Sequence, residues 1–87
     1  MRAVITVIGK DMVGILAKVS TICAAQNVNI TEVTQSILQD MFAMIMLVET
    51  SQCDISKLSD QLTALGKELG LSIHVMHEDI FNAMHTI

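Results

Sequence analysis

The chain is 87 residues long, 52% hydrophobic and carries a net charge of −4. Its five basic residues, Arg2, Lys10, Lys18, Lys57 and Lys67, are scattered, which excludes the basic patch that nucleic-acid binding requires. No apolar run approaches the ~20 residues of a membrane helix, and Cys23 and Cys53 form no C-x-x-C pair, so neither a spanning segment nor a thiol metal site is expected.

Arg2 followed by Ala3 to Ile8 mimics the start of a signal peptide, but Lys10 and Asp11 break the run and no small-residue cleavage site follows. The expectation is a cytoplasmic protein with two unrelated, reduced thiols. The length fits one domain, residues 1–87, with a thin core. So high an apolar content exceeds what a small domain hides and points to a homo-oligomer. Aromatics are nearly absent, with Phe42 and Phe81 alone, while seven methionines provide flexible packing material.

In chain order, the apolar run predicts a first strand over roughly Arg2 to Ile8, ending at Gly9. A helix follows from about Met12 to Ala25, with Asp11 as its N-cap and Ile15, Leu16, Val19, Ile22 and Cys23 along one face. Gln26-Asn27 closes it, since Asn tolerates the left-handed cap conformation. Val28 to Leu38 reads as a second strand, Gln39-Asp40 as a short turn and Met41 to Glu49 as a third strand. A second helix begins at Asp54 or Ser56, carries Ile55, Leu58, Leu62, Leu65 and Leu69 on one side, and stops at Gly70. Gly66 inside it costs about 1 kcal/mol relative to Ala, so a close approach is expected there. Leu71 to His77 is the fourth strand. The tail, residues 78–87, places Ile80, Phe81, Met84 and Ile87 at helical spacing in a short helix opened by Asp79.

The order β-α-β-β-α-β describes an α+β, ferredoxin-like sandwich: a four-stranded antiparallel sheet with both helices on one face, plus the helical tail. Strands one and three become central in that topology, and both are apolar on both faces. Ala3, Ile5 and Val7 oppose Val4 and Ile8; Phe42, Met44, Met46 and Val48 oppose Ala43, Ile45 and Leu47. A strand apolar on both sides must be covered on both sides. The helices cover one, leaving the other to the tail, a second subunit or both.

The stretch Gly9-Lys10-Asp11-Met12-Val13-Gly14 is the main candidate site. A strand-to-helix turn sets free backbone N–H groups beside a carboxylate, and such a helix start can hold a small anionic group. The same residues also have purely structural readings, Asp11 as a cap and Gly14 as a packing glycine. A soft-metal site would need paired cysteines in this turn, a phosphate clamp would need an arginine, and an RNA platform would need exposed aromatics. None is there. His74 and His77, three apart on a strand, point to opposite faces and cannot share an ion. No nucleophile–base pair is readable, so no enzyme, metal or cofactor is expected.

Gly9-Lys10-Asp11-Met12-Val13-Gly14-Ile15-Leu16 resembles the turn of the ACT domain, usually written G-x-D-x-P-G-I/L, and Gln26-Asn27-Val28-Asn29-Ile30 resembles its G-x-N-I element. Val13 replaces the usual proline and Asn27 the usual glycine. In length and tail the chain resembles the short stand-alone bacterial ACT proteins that lack an attached enzyme. The resemblance implies a regulatory module that binds an amino acid or related metabolite at the interface of a homodimer or larger assembly. It implies ligand contacts from Asp11, Met12, Val13 and Gly14 in the turn and from Asn29 and Ile30 at the start of strand two. The alternative function is a ligand-free interaction module that docks a partner protein through its apolar sheet face.

Overall fold

The structure is a computed structural model that describes residues 2–10, 13–50 and 55–85. Its elements are β1 (Arg2–Gly9), α1 (Ile15–Ala25), β2 (Asn29–Leu38), β3 (Met41–Glu49), α2 (Ile55–Leu69), β4 (Ser72–His77) and α3 (Glu78–His85). The sheet order is β2-β3-β1-β4, with every neighbouring pair antiparallel, so β1 and β3 are central as the sequence predicts.

The core lies between the sheet and the two long helices. Ala3, Ile5 and Val7 of β1 and Met44, Met46 and Val48 of β3 meet Ile15, Val19 and Cys23 of α1 and Leu58 and Leu62 of α2. Burying each large aliphatic chain of this set is worth roughly 1.5–3 kcal/mol, which fixes α1 and α2 on the same face. Leu16 departs from the expected stripe: it is 41% exposed, because the core-facing row runs through Ile15, Val19 and Cys23 at intervals of four.

Both helix ends are closed by left-handed residues. Asn27 has φ 58°, and the N–H groups of Asn27 and Val28 donate to the carbonyls of Ala24 and Cys23 at 3.1 and 2.8 Å. Gly70 has φ 71°, and the Leu71 N–H donates to the Gly66 carbonyl at 2.8 Å. These are Schellman-type closures that satisfy terminal carbonyls and turn the chain into the next strand. The expected close approach at Gly66 is real: a Cβ there would stand 2.8 Å from the Leu71 carbonyl oxygen.

The start of α1 differs from the sequence expectation. The helix begins at Ile15 rather than Met12, and its N-cap is Gly14, with φ 76° and no side-chain cap. Asp11 and Met12 lie outside the described residues, as does Cys53. The N-cap position expected at Asp11 thus falls three residues later, at Gly14.

The second sheet face is partly roofed. α3 packs against β1 and β4, and Val4, whose side chain shares the parity of this face, is only 2% exposed. Ile80 points away from the sheet at 56% exposure while Phe81 is half-buried, so the tail covers the face along one row of side chains. Ile8, Met41 and Ile45 stay open on the uncovered part.

Candidate functional site

The turn is built by two glycines with different duties. At Gly9 a Cβ would meet the far end of the Leu71 side chain, so this residue marks the close packing of β1 against the segment after α2. At Gly14 a Cβ would meet no described residue within 4 Å; the residue is needed for its positive φ, and helix–sheet packing is not the reason for it. Val13 is 91% exposed beside it. The Gly14 carbonyl accepts the first helical bond, from the Lys18 N–H at 3.1 Å. Among the described residues, the backbone donors of Ile15, Leu16 and Ala17 at the positive end of the helix dipole therefore have no capping side chain, and no acidic residue stands in the first turn. Chemically, this end can accept a carboxylate.

Asn29 and Ile30 do not join the turn. Asn29 pairs with Glu49, and Arg2 pairs with the same Glu49 from the other side, so β2 begins at the end of the sheet where β1 begins. The turn leaves β1 at its opposite end, roughly 25 Å away for an eight-residue strand at ~3.3 Å per residue. One chain keeps these two halves of the expected site apart. What the turn does border is a cleft of about 380 Å³ at its own end of the sheet, lined by Ile8, Gly9, Lys10, Met41 and the Leu69–Ser72 segment.

A second concavity was not expected from the sequence. Between α3 and the open sheet face lies a groove of about 210 Å³, lined by Arg2 and Val4 of β1, Glu32 of β2, Ile45 and Leu47 of β3, and Glu78, Phe81 and Asn82 of α3. Arg2 clasps Glu78 side-on, Nε to Oε2 at 2.6 Å and Nη2 to Oε1 at 3.1 Å, joining the first strand to the last helix. Glu32 reaches the groove because of a bulge. Ile30 pairs with Val48 and Glu32 with Leu47, leaving Thr31 as the extra residue, whose hydroxyl donates to the Leu47 carbonyl at 3.0 Å. Ile30 and Val33 stand three apart with polar residues between, a break in the alternation that signals such a bulge in the sequence. The pairing of Arg2 with Glu78, 76 residues apart, has no local signal at all.

The histidines have separate places. His74 pairs with Thr6 and His77 with Ala3, on rows of opposite parity. His77 Nδ1 accepts the Asp79 N–H at 3.0 Å and so caps the start of α3.

Comparison with known proteins places these features in a family. A model of the ACT domain matches residues 2–76, from the start of β1 through both long helices to the next-to-last residue of β4. A UPF0237 protein of Methanopyrus kandleri is 48% identical over 88 residues, covering 99% of this chain and 98% of its own length. Among solved structures, an ACT domain protein from Streptococcus pneumoniae superposes with a TM-score of 0.81 at 35% identity, covering 93% of each chain. A putative glycine cleavage system transcriptional repressor superposes at 0.74 with 26% identity, covering 85% of this chain and 43% of its own. The chain belongs to the ACT domain family.

Proposed function

We propose that the chain is a non-catalytic regulatory module that binds an amino acid or a related metabolite and works as a homo-oligomer. ACT domains are regulatory ligand-binding modules, and the structural neighbours include the putative glycine cleavage repressor. The observation that carries the reading is the start of α1, where, among the described residues, Gly14 leaves three backbone N–H groups without a capping side chain and with open space beside them. Those donors suit the carboxylate of a zwitterion. Its ammonium is taken by Asp11, or by Asn29 and the adjoining Ile30 backbone of a second copy, with Met12 and Val13 flanking. Because the turn and Asn29 stand at opposite ends of one sheet, a site that uses both needs two chains.

A thermal-shift screen against the proteinogenic amino acids tests this. A zwitterion that raises the melting temperature supports the module, and its response should vanish in Gly14→Asn, which keeps the left-handed φ while filling the space beside the helix start. Asp11→Asn should leave stability unchanged and weaken the ligand by about 1–3 kcal/mol, the scale of a charge-assisted hydrogen bond.

A second reading is favoured by one observation: Ile8, Met41 and Ile45 remain between 39% and 44% exposed on the uncovered sheet face. A partner protein docked there, with no amino acid response at all, would make the chain an interaction module instead.

A further inference from the structure

The groove beneath α3 is separate from the turn. Its floor is apolar, formed by Val4, Ile45 and Leu47, and Phe81 closes it from above. Glu32, Leu47 and Val4 lie in one cross-strand row, since Leu47 pairs with both of the others. Their side chains therefore leave the sheet on the same face, and Glu32 stands two strand spacings, roughly 10 Å, from Val4.

The charges around this floor are unequal. Arg2 is already held by Glu78 through Nε and Nη2. The Glu32 carboxylate has no hydrogen-bond or ion-pair partner among the described residues. Arg2, Glu32 and Glu78 together leave the lining at a formal charge of −1, with the uncompensated part on Glu32. The bulge lets Ile30 and Val33 both stand on the helix face, Ile30 packed against the core and Val33 38% exposed, while Glu32 is turned into the groove. Bulges recur where a strand re-aims a functional side chain. The volume of about 210 Å³ falls below the range of roughly 300–1,000 Å³ that holds drug-sized ligands, so an occupant is of metabolite size.

We infer that this groove is a second ligand site, selective for a small aliphatic compound carrying a primary ammonium, with Glu32 as its counter-ion. The apolar body rests on Val4, Ile45 and Leu47 beneath Phe81. The ammonium has three donors to place, on Glu32 and on the side-chain carbonyl of Asn82. A carboxylate on the ligand is dispensable here, which separates this site from the turn, where the helix start demands one. The inference goes beyond the proposed function and stands without it.

The experiment titrates the full chain at neutral pH with three probes of one skeleton: isopentylamine, 4-methylpentanoate and leucine. Calorimetry gives affinity, and amide chemical shifts give location. Isopentylamine and leucine should bind saturably with shifts at Val4, Ile45, Leu47 and Asn82, and 4-methylpentanoate should not shift those residues. Glu32→Gln, an exposed and isosteric change, should weaken isopentylamine by about 10- to 100-fold, while Gly14→Asn should leave it unchanged. Equal affinity in Glu32→Gln would overturn the inference. So would isopentylamine shifts confined to residues 13–17, or no saturable binding of the amine at all. Failure of the turn reading looks different: leucine would then shift the groove residues alone.

Discussion

Gly66 and Leu71 hold each other twice. The Leu71 N–H donates to the Gly66 carbonyl at 2.8 Å, and the Leu71 carbonyl oxygen would lie 2.8 Å from any Cβ placed on Gly66. The end of α2 thus lies against the start of β4 with no room for a methyl group. Two effects oppose in Gly66→Ala: helix propensity favours Ala by about 1 kcal/mol, and overpacking against backbone costs about 1–3 kcal/mol. The oxygen belongs to a backbone tied on one side to Gly66 itself, so it cannot withdraw cheaply. Gly66→Ala should therefore destabilise the fold by up to about 2 kcal/mol in urea unfolding. A stabilised variant would show that β4 gives way.

Asn27 tests the left-handed closure of α1. With φ at 58°, replacement by Gly should change stability by only a few tenths of a kcal/mol, and replacement by Val should cost about 1–2 kcal/mol. Thermal unfolding of the pair reads this directly. Equal costs for both variants would mean that the Asn side chain matters more than its backbone conformation.

The cover over the open sheet face sets the assembly. α3 hides Val4 while Ile8, Met41 and Ile45 remain open, so association through the uncovered strip is expected at micromolar concentration. Ile45→Glu should shift the mass seen by light scattering towards the monomer. Stopping the chain after Glu78 removes the roof over Val4 and should produce aggregation or a larger oligomer. An unchanged mass in both variants would place the contact elsewhere.

His77 anchors the tail through its acceptor nitrogen. With Nδ1 accepting the Asp79 N–H at 3.0 Å, His77→Asn should keep α3 ordered because Asn caps a helix well. His77→Val should raise hydrogen exchange at residues 79–83 without unfolding the sheet. Uniform protection in both variants would show that Phe81 packing and the Arg2–Glu78 pair suffice to hold α3.

What local chemistry controls was legible in the order of the residues. Continuous apolar runs set the two central strands and period-3.6 apolar spacing set the three helices, and Asn27 and Gly70 marked helix ends because few other residues accept a positive φ. The order of these elements, with the right-handed crossover rule, sufficed for the sheet order. The sequence also located the turn at Gly14, though it assigned the cap to Asp11, since a left-handed glycine N-cap and an Asp cap leave similar patterns in a short loop. Tertiary structure alone decided the rest. That the turn and Asn29 stand at opposite ends of the sheet follows from β1 and β2 running in the same direction, a relation between strands that no local pattern records. That Glu32 faces the groove depends on a one-residue slip against β3, and a slip exchanges every side chain between faces. The pairing of Arg2 with Glu78 and the extent of the roof over Val4 depend on where α3 lands after β4 joins the edge of the sheet. These are long-range placements, fixed only once the core between Ile5, Val19 and Leu62 has closed.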